Sequence, residues 1–254
     1  MKLIVSIAAV IVLSLLAERA SPRWAGLVSG YPTGSAITLF FFGLEQSPDF
    51  AAQSAVFNLT GLIAMQIFVY CYFRISETNF RFPAAMSSLA SVCTYFPAIC
   101  ILRLVPENRL ISLLLTVFSI FIFIRLFRNV KDSIITSRVK LSFSILLIRA
   151  IAAASIILLV TGMAQAVGPE WAGLFSAFPT TLFPLILIVH KTYGVEHVQT
   201  ILKNVPAGLG SLVLYSLTVS FAYPAIGIYW GTIAAFAAAT VYLILFAKFL
   251  QFVK

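Results

Sequence analysis

An all-α polytopic membrane protein of about nine transmembrane helices, built as two inverted four-helix repeats joined by one linker helix, is the fold class that three features of the sequence predict. The first is composition. Of the 254 residues 61% are hydrophobic and only 10% charged, the mean hydropathy is +1.04, and apolar runs of about 20 residues can cross a hydrocarbon core ~30 Å thick. The second is duplication. Residues 22–33 return at 169–180, ungapped, with eight of twelve identical. The same offset of 147 pairs Lys2 with Arg149, Asp49 with Glu196 and Gly61 with Gly208, so the repeat unit covers most of each half. The third is the distribution of basic residues among the loops, developed below.

Nine spans follow in order. Residues 2–17 begin with Lys2 and an apolar run that resembles a signal peptide, but they align with Arg149–Ala164, an internal segment, and are expected to be retained. Span 24–44 opens on Trp24, an indole suited to the membrane interface, and Ala25-Gly26 permits close helix approach. Span 52–73 carries Asn58 and Gln66, amides expected to bond between helices, and Gly61. Span 84–102 holds Cys93 and Cys100, which share a helix face but cannot reach each other. Span 110–127 has no counterpart at the offset and is the linker. Span 142–163 contains Arg149, and 171–190 opens on Trp171. Span 205–222, preceded by Asn204, includes Gly208, and 225–247 completes the set. All are expected to be helical, because a sheet edge in lipid leaves backbone groups unpaired. The domain division is 1–104 for the first repeat, 105–140 for the linker helix and a basic loop, and 141–254 for the second repeat. Five spans separate the two starts. An odd number makes the second copy enter from the opposite side, which is the inverted arrangement.

Charge supports the same topology. Thirteen basic residues fall on one side, Arg19, Arg23, Arg74, Arg81, Arg125, Arg128, Lys131, Arg138, Lys140, Lys191, Lys203, Lys248 and Lys254, against Lys2, Arg103 and Arg109 on the other. The positive-inside rule then places the chain in a cell inner (plasma) membrane with its N-terminus outside and its C-terminus in the cytoplasm. The net charge of +9 is thus mainly a topology signal, and nucleic acid is not an expected partner. No Walker loop, GxSxG, HExxH or paired carboxylates occur, so an enzyme has no catalytic group to stand on. Cys71, Cys93 and Cys100 read as buried free thiols, and His190 and His197 as polar loop residues. Neither a metal nor a cofactor is expected.

The duplicated motif carries the chemistry. Pro32 and Pro179 sit about eight residues into their spans, some 12 Å deep at 1.5 Å per residue, near the bilayer midplane. Each would end one half-helix and start another at its first turn, where proline's missing amide proton costs little. Opposed half-helix N-termini would then present amide protons and about half a positive charge each to a shared site. Its candidate substrate-binding residues are Ser29, Tyr31, Pro32, Thr33 and Ser35 from the first copy and Ser176, Phe178, Pro179, Thr180 and Thr181 from the second. Arg149 joins them, since an arginine inside a span either snorkels to the interface or faces a polar cavity.

The second copy resembles a known family. Ala172-Gly173-Leu174-Phe175, Phe178-Pro179-Thr180, Leu185-Ile186, His190 and Gly194 are similar to the pattern of the small GlpM-like membrane proteins, single units of about four spans. The first copy is less similar, with Gly43 where the histidine stands. This resemblance implies a fused double of such a unit, with a loose association to exopolysaccharide production. The layout also looks like that of duplicated fluoride channels, without their polar filter motifs.

The expected function is that of a secondary transporter moving a small anionic or polar solute, or a lipid-carrier head group, through the midplane site. Two alternatives are an ion channel of four-plus-one-plus-four type and a non-transporting membrane subunit of an envelope polysaccharide system. Expected partners are membrane lipids and the small-molecule or ion substrate, with a homodimer left open.

Overall fold

A computed structural model describes residues 30–78, 80–128, 130 and 143–252. The expected first span, Trp24, Ser29 and most of the 128–141 loop lie outside the described residues. The described chain forms α1 (Thr33–Glu45), α2 (Pro48–Ser76), α3 (Pro83–Leu102), α4 (Arg109–Leu126), α5 (Phe143–Ser176), α6 (Leu182–Tyr193), α7 (Val195–Ile226) and α8 (Ile228–Phe252). It contains no strand. Six helical segments are long and apolar enough to cross a membrane, namely α2, α3, α4, Ala150–Ser176 of α5, α7 and Ile228–Phe246 of α8, whereas α1 and α6 are apolar but shorter. The protein is a helical membrane protein.

Local sequence sets the boundaries. Ser47 caps α2 by accepting the Phe50 amide proton at 3.0 Å, and Pro48 occupies the first turn, where it forfeits no helical bond. Asn108 accepts the amide protons of Leu110 and Ile111 and so starts α4. Gly194, at φ 88°, ends α6 and leads directly into α7. The loop expected between 163 and 171 is a kink instead. Gly168, at φ 78°, breaks α5 internally, and Pro169 opens the segment that follows.

Helices α2 and α7 pack against each other at the centre, and each is flanked in turn, α2 by α3 and α5, α7 by α8. One core gathers Leu62, Phe68, Tyr72, Tyr95 and Leu202; a second gathers Leu39, Phe42, Tyr215 and Tyr223. Helix α4 touches both central helices. It docks on α2 through Thr60–Ser112 (3.0 Å), Thr116 to the Leu59 carbonyl (2.7 Å) and Gln66 to Ser119 (2.7 Å), interhelical bonds worth roughly 1 kcal/mol each in a bilayer. The outward faces of α3, α4 and α8 are rich in exposed Leu, Ile and Phe, as contact with lipid tails requires.

Contacts between helix termini sort the bundle into two ends. At one, Arg103 pairs with Glu170 at 3.0 Å and lies 5.1 Å over the Trp171 ring, while Arg109 donates to the Ser220 carbonyl at 2.9 Å. At the other, Gln199 donates to Ser76 and Lys203 to the Val130 carbonyl.

Candidate functional site

Two non-helical stretches meet beside the middles of α2 and α7. The first, Gly30–Pro32, precedes α1; the second, residues 177–181, separates α5 from α6. They fold alike. Thr33 N–H donates to the Tyr31 carbonyl and Thr180 N–H to the Phe178 carbonyl, both at 2.7 Å, and the next closures run from Ala36 to Pro32 and from Phe183 to Pro179, at 3.0 and 2.8 Å. These are tight turns around a proline that cannot donate.

Small residues let the turns approach the central helices. A β-carbon on Gly30 would collide with the backbone of Gly208, and one on Gly61 would lie 2.7 Å from the Ala177 β-carbon. The offset of 147 carries Gly30 to Ala177 and Gly61 to Gly208, so the two contacts are counterparts.

Directions follow from contacts along the bundle. From Tyr31 beside the cavity, α1 runs to Phe42, which packs 5.7 Å from Phe50 near the start of α2. The other strand of chain passes Glu170 at the Arg103 end, Ser176 at mid-bundle and His190, whose Nδ1 lies 3.0 Å from the Tyr72 hydroxyl near the end of α2. Helices α1 and α6 therefore leave the centre in opposite directions, each with its N-terminus there.

Between the turns lies a cavity of about 20 Å³, room for one water-sized occupant. It is lined by Tyr31, Pro32, Thr33, Gly34 and Ser35, by Ala177, Phe178, Pro179, Thr180 and Thr181, and by Met65 of α2 and Leu212 of α7. The Thr180 hydroxyl occupies the place where a Gly34 side chain would project. It is buried and has no hydrogen-bond partner among the described residues. Thr33 Oγ1 makes only a long, 3.4 Å bond to the Tyr31 carbonyl. A buried hydroxyl without a partner is uncommon, because its desolvation is uncompensated.

Asn58, fully buried on α2, braces the site. Its Nδ2 donates to Ser176 Oγ at 2.7 Å and Ser35 Oγ at 3.3 Å, its Oδ1 accepts from Ser216 of α7 at 2.7 Å, and Ser35 donates to the Ser176 carbonyl at 2.8 Å. Ser211 ties α7 to the Gly30 carbonyl at 2.7 Å. Both turns are thus held by hydroxyls and one amide of the central helices.

Of the residues expected from sequence, Tyr31, Pro32, Thr33, Ser35, Phe178, Pro179, Thr180 and Thr181 line this cavity. Ser176 stands behind it in the Asn58 network. Ser29 lies outside the described residues. Arg149 lies on α5, its side chain likewise outside them. Met65 and Leu212 were not foreseen, although the 147-residue offset also relates this pair. The loop reading of His190 gives way to a buried side chain bonded to Tyr72. Cys93 and Cys100, expected buried, are exposed on α3's outer face. No group of three or more His, Cys, Asp or Glu able to hold a metal occurs among the described residues. No model of a known protein family, curated protein or solved structure matches the chain.

Proposed function

We propose that this protein is a secondary transporter of the inner membrane that passes a small anionic or polar solute through the cavity between the two turns. The observation that carries the reading is the buried, unpartnered Thr180 hydroxyl in a cavity onto which two helices of 13 and 12 residues open their N-termini. Amides in a first helical turn lack intrahelical acceptors and favour negative charge. The cavity's size admits a monatomic anion or one charged oxygen of a larger solute; anything bulkier requires the flanking helices to part.

The fold proposed with it has nine spans in two inverted repeats. In that scheme residues 24–44 and 171–190 are single spans broken at Pro32 and Pro179, and the segments on either side of Gly168 belong to different spans. Support comes from the exchanged Gly30–Gly208 and Gly61–Ala177 contacts, from the opposite courses of α1 and α6, and from a linker helix that touches both central helices. The end carrying Arg74, Arg125, Arg128 and Lys203 is assigned to the cytoplasm. A fused double of a GlpM-like unit is consistent with this plan. Rocking of one repeat against the other around the cavity would give alternating access. An open channel is a poorer match for so small a space, and among the described buried side-chain atoms without a partner, Ser54 Oγ, Gln66 Oε1, Thr180 Oγ1 and Tyr215 Oη, only Thr180 Oγ1 belongs to a residue lining it.

The test is flux. Proteoliposomes holding the full chain are loaded and assayed with chloride, formate and inorganic phosphate, and Thr180→Val is compared with the parent. The expected result is uptake of at least one anion, reduced by about tenfold or more in Thr180→Val with its melting temperature preserved, a factor of ten being about 1.4 kcal/mol. Uptake of such an anion at parental rate by the variant sinks the proposal.

A further inference from the structure

Away from the central cavity, the last turn of α4 and the first half of α7 enclose a groove of about 510 Å³ that opens on the outer face of the bundle. Arg125 and Arg128 line it from α4 and its end, Lys203 and Asn204 from α7, and Phe121 and Ile124 supply apolar wall. Among the described residues no carboxylate lines it. Neither arginine has an ion-pair partner among the described residues, and both are exposed. Lys203 donates to the Val130 carbonyl, which fixes its ammonium at the rim.

The groove continues into a stripe. Leu110, Leu114, Phe118 and Phe121 recur every three or four residues along α4, all about 60% exposed or more, and the next position in that series is Arg125. From Leu114 to Arg125 the helix rises about 16 Å, roughly half of a ~30 Å hydrocarbon core and so one leaflet. An apolar track one leaflet long, ending in two guanidinium groups and an ammonium, matches one kind of occupant in both length and charge.

We propose that this groove is a binding site for an anionic phospholipid, with the phosphate held by Arg125 and Arg128 and one acyl chain laid along the α4 stripe. Guanidinium forks suit phosphate oxygens, and basic pockets between membrane helices are known settings for anionic head groups. Because α4 touches both central helices, bound lipid would clamp α4 against α7. The inference does not depend on what the central cavity carries.

The experiment is lipid retention by the full chain in detergent, measured by native mass spectrometry after titration with dioleoyl phosphatidylglycerol or dioleoyl phosphatidylcholine. Phosphatidylglycerol should bind at least tenfold more tightly, and Arg125→Gln/Arg128→Gln should lose at least fivefold of that affinity, while Arg103→Gln, at the opposite end of the bundle, changes nothing. Should the double glutamine variant fail to fold, Arg125→Lys/Arg128→Lys is the substitute; it should keep the preference for phosphatidylglycerol while binding it at least twofold more weakly. Equal retention of the two lipids overturns the proposal, as does undiminished phosphatidylglycerol binding by either double variant. Inorganic phosphate competing as well as the lipid would assign the groove to a free anion and overturn the lipid as occupant.

Discussion

The two flanks of the central cavity share a skeleton and differ in chemistry. On one, Tyr31 and Tyr215 both pack against Phe236, at 5.9 and 5.0 Å, and the Tyr31 hydroxyl lies 3.0 Å from that of Thr240. On the other, the positions 147 residues away are Phe178 and Phe68, 5.7 Å apart and edge to face, with Phe183 and Tyr95 closing the cluster at 6.0 and 5.1 Å from Phe178. Edge-to-face ring pairs are worth about 0.5–1.5 kcal/mol each beyond their burial. One flank therefore carries a bonded hydroxyl on Tyr31 and, on Tyr215, a buried one without a partner among the described residues. The other is a cluster of rings whose one hydroxyl, on Tyr95, donates to the Leu174 carbonyl at 2.7 Å.

The contact pairs break the comparison most sharply. Gly30→Ala places a methyl group into the Gly208 backbone, which cannot yield, and should cost about 3 kcal/mol or more. Gly61→Ala meets a side-chain methyl at 2.7 Å and should cost about 1–2 kcal/mol. Thermal midpoints in detergent will order the two; equal losses would mean that the turns do not approach α7 and α2 as described.

Truncation of the aromatic pair comes next. Phe178→Ala empties the centre of the phenyl cluster and should cost about 3–5 kcal/mol. Tyr31→Ala, at a partly buried ring with one hydroxyl contact, should cost about 1–2 kcal/mol.

Exchanging the two chemistries is subtler. Tyr31→Phe gives up one hydroxyl bond, about 1 kcal/mol or less, whereas Phe178→Tyr must fit an extra hydroxyl beside Phe68, Phe183 and Tyr95 and should cost about 1–3 kcal/mol. If the exchange is symmetric in stability, the flanks are equally polar and the distinction fails.

Much of this arrangement could be read from the sequence, and the reason is particular to the motif. A proline eight residues into an apolar span has few structural outcomes, and its recurrence with threonine at 33 and 180 pointed to the lining residues before any fold was known. Gly61 and Gly208 were legible as close-approach positions for the same reason. Asn58 was legible only as an amide that needed a partner in lipid. Its actual partners, Ser35, Ser176 and Ser216, lie 23, 118 and 158 residues away, and only the packing of four helices brings them together. The kink at Gly168 was missed because Gly-Pro signals a loop as readily as a helix break. His190 was missed because its partner Tyr72 sits on another helix 118 residues away.

If solute reaches Thr180 from either side of the membrane, a thiol placed there must be accessible from both. Thr180→Cys is placed in a background with Cys71, Cys93 and Cys100 changed to serine, and right-side-out and inside-out vesicles are treated with a membrane-impermeant thiol reagent. Asp49→Cys, exposed at one end of the bundle, serves as the control that must react from one side only. Thr180→Cys is expected to be modified from both sides, and a transported anion to slow the reaction. Complete protection of Thr180→Cys from both sides, with the control reacting normally, would contradict that expectation.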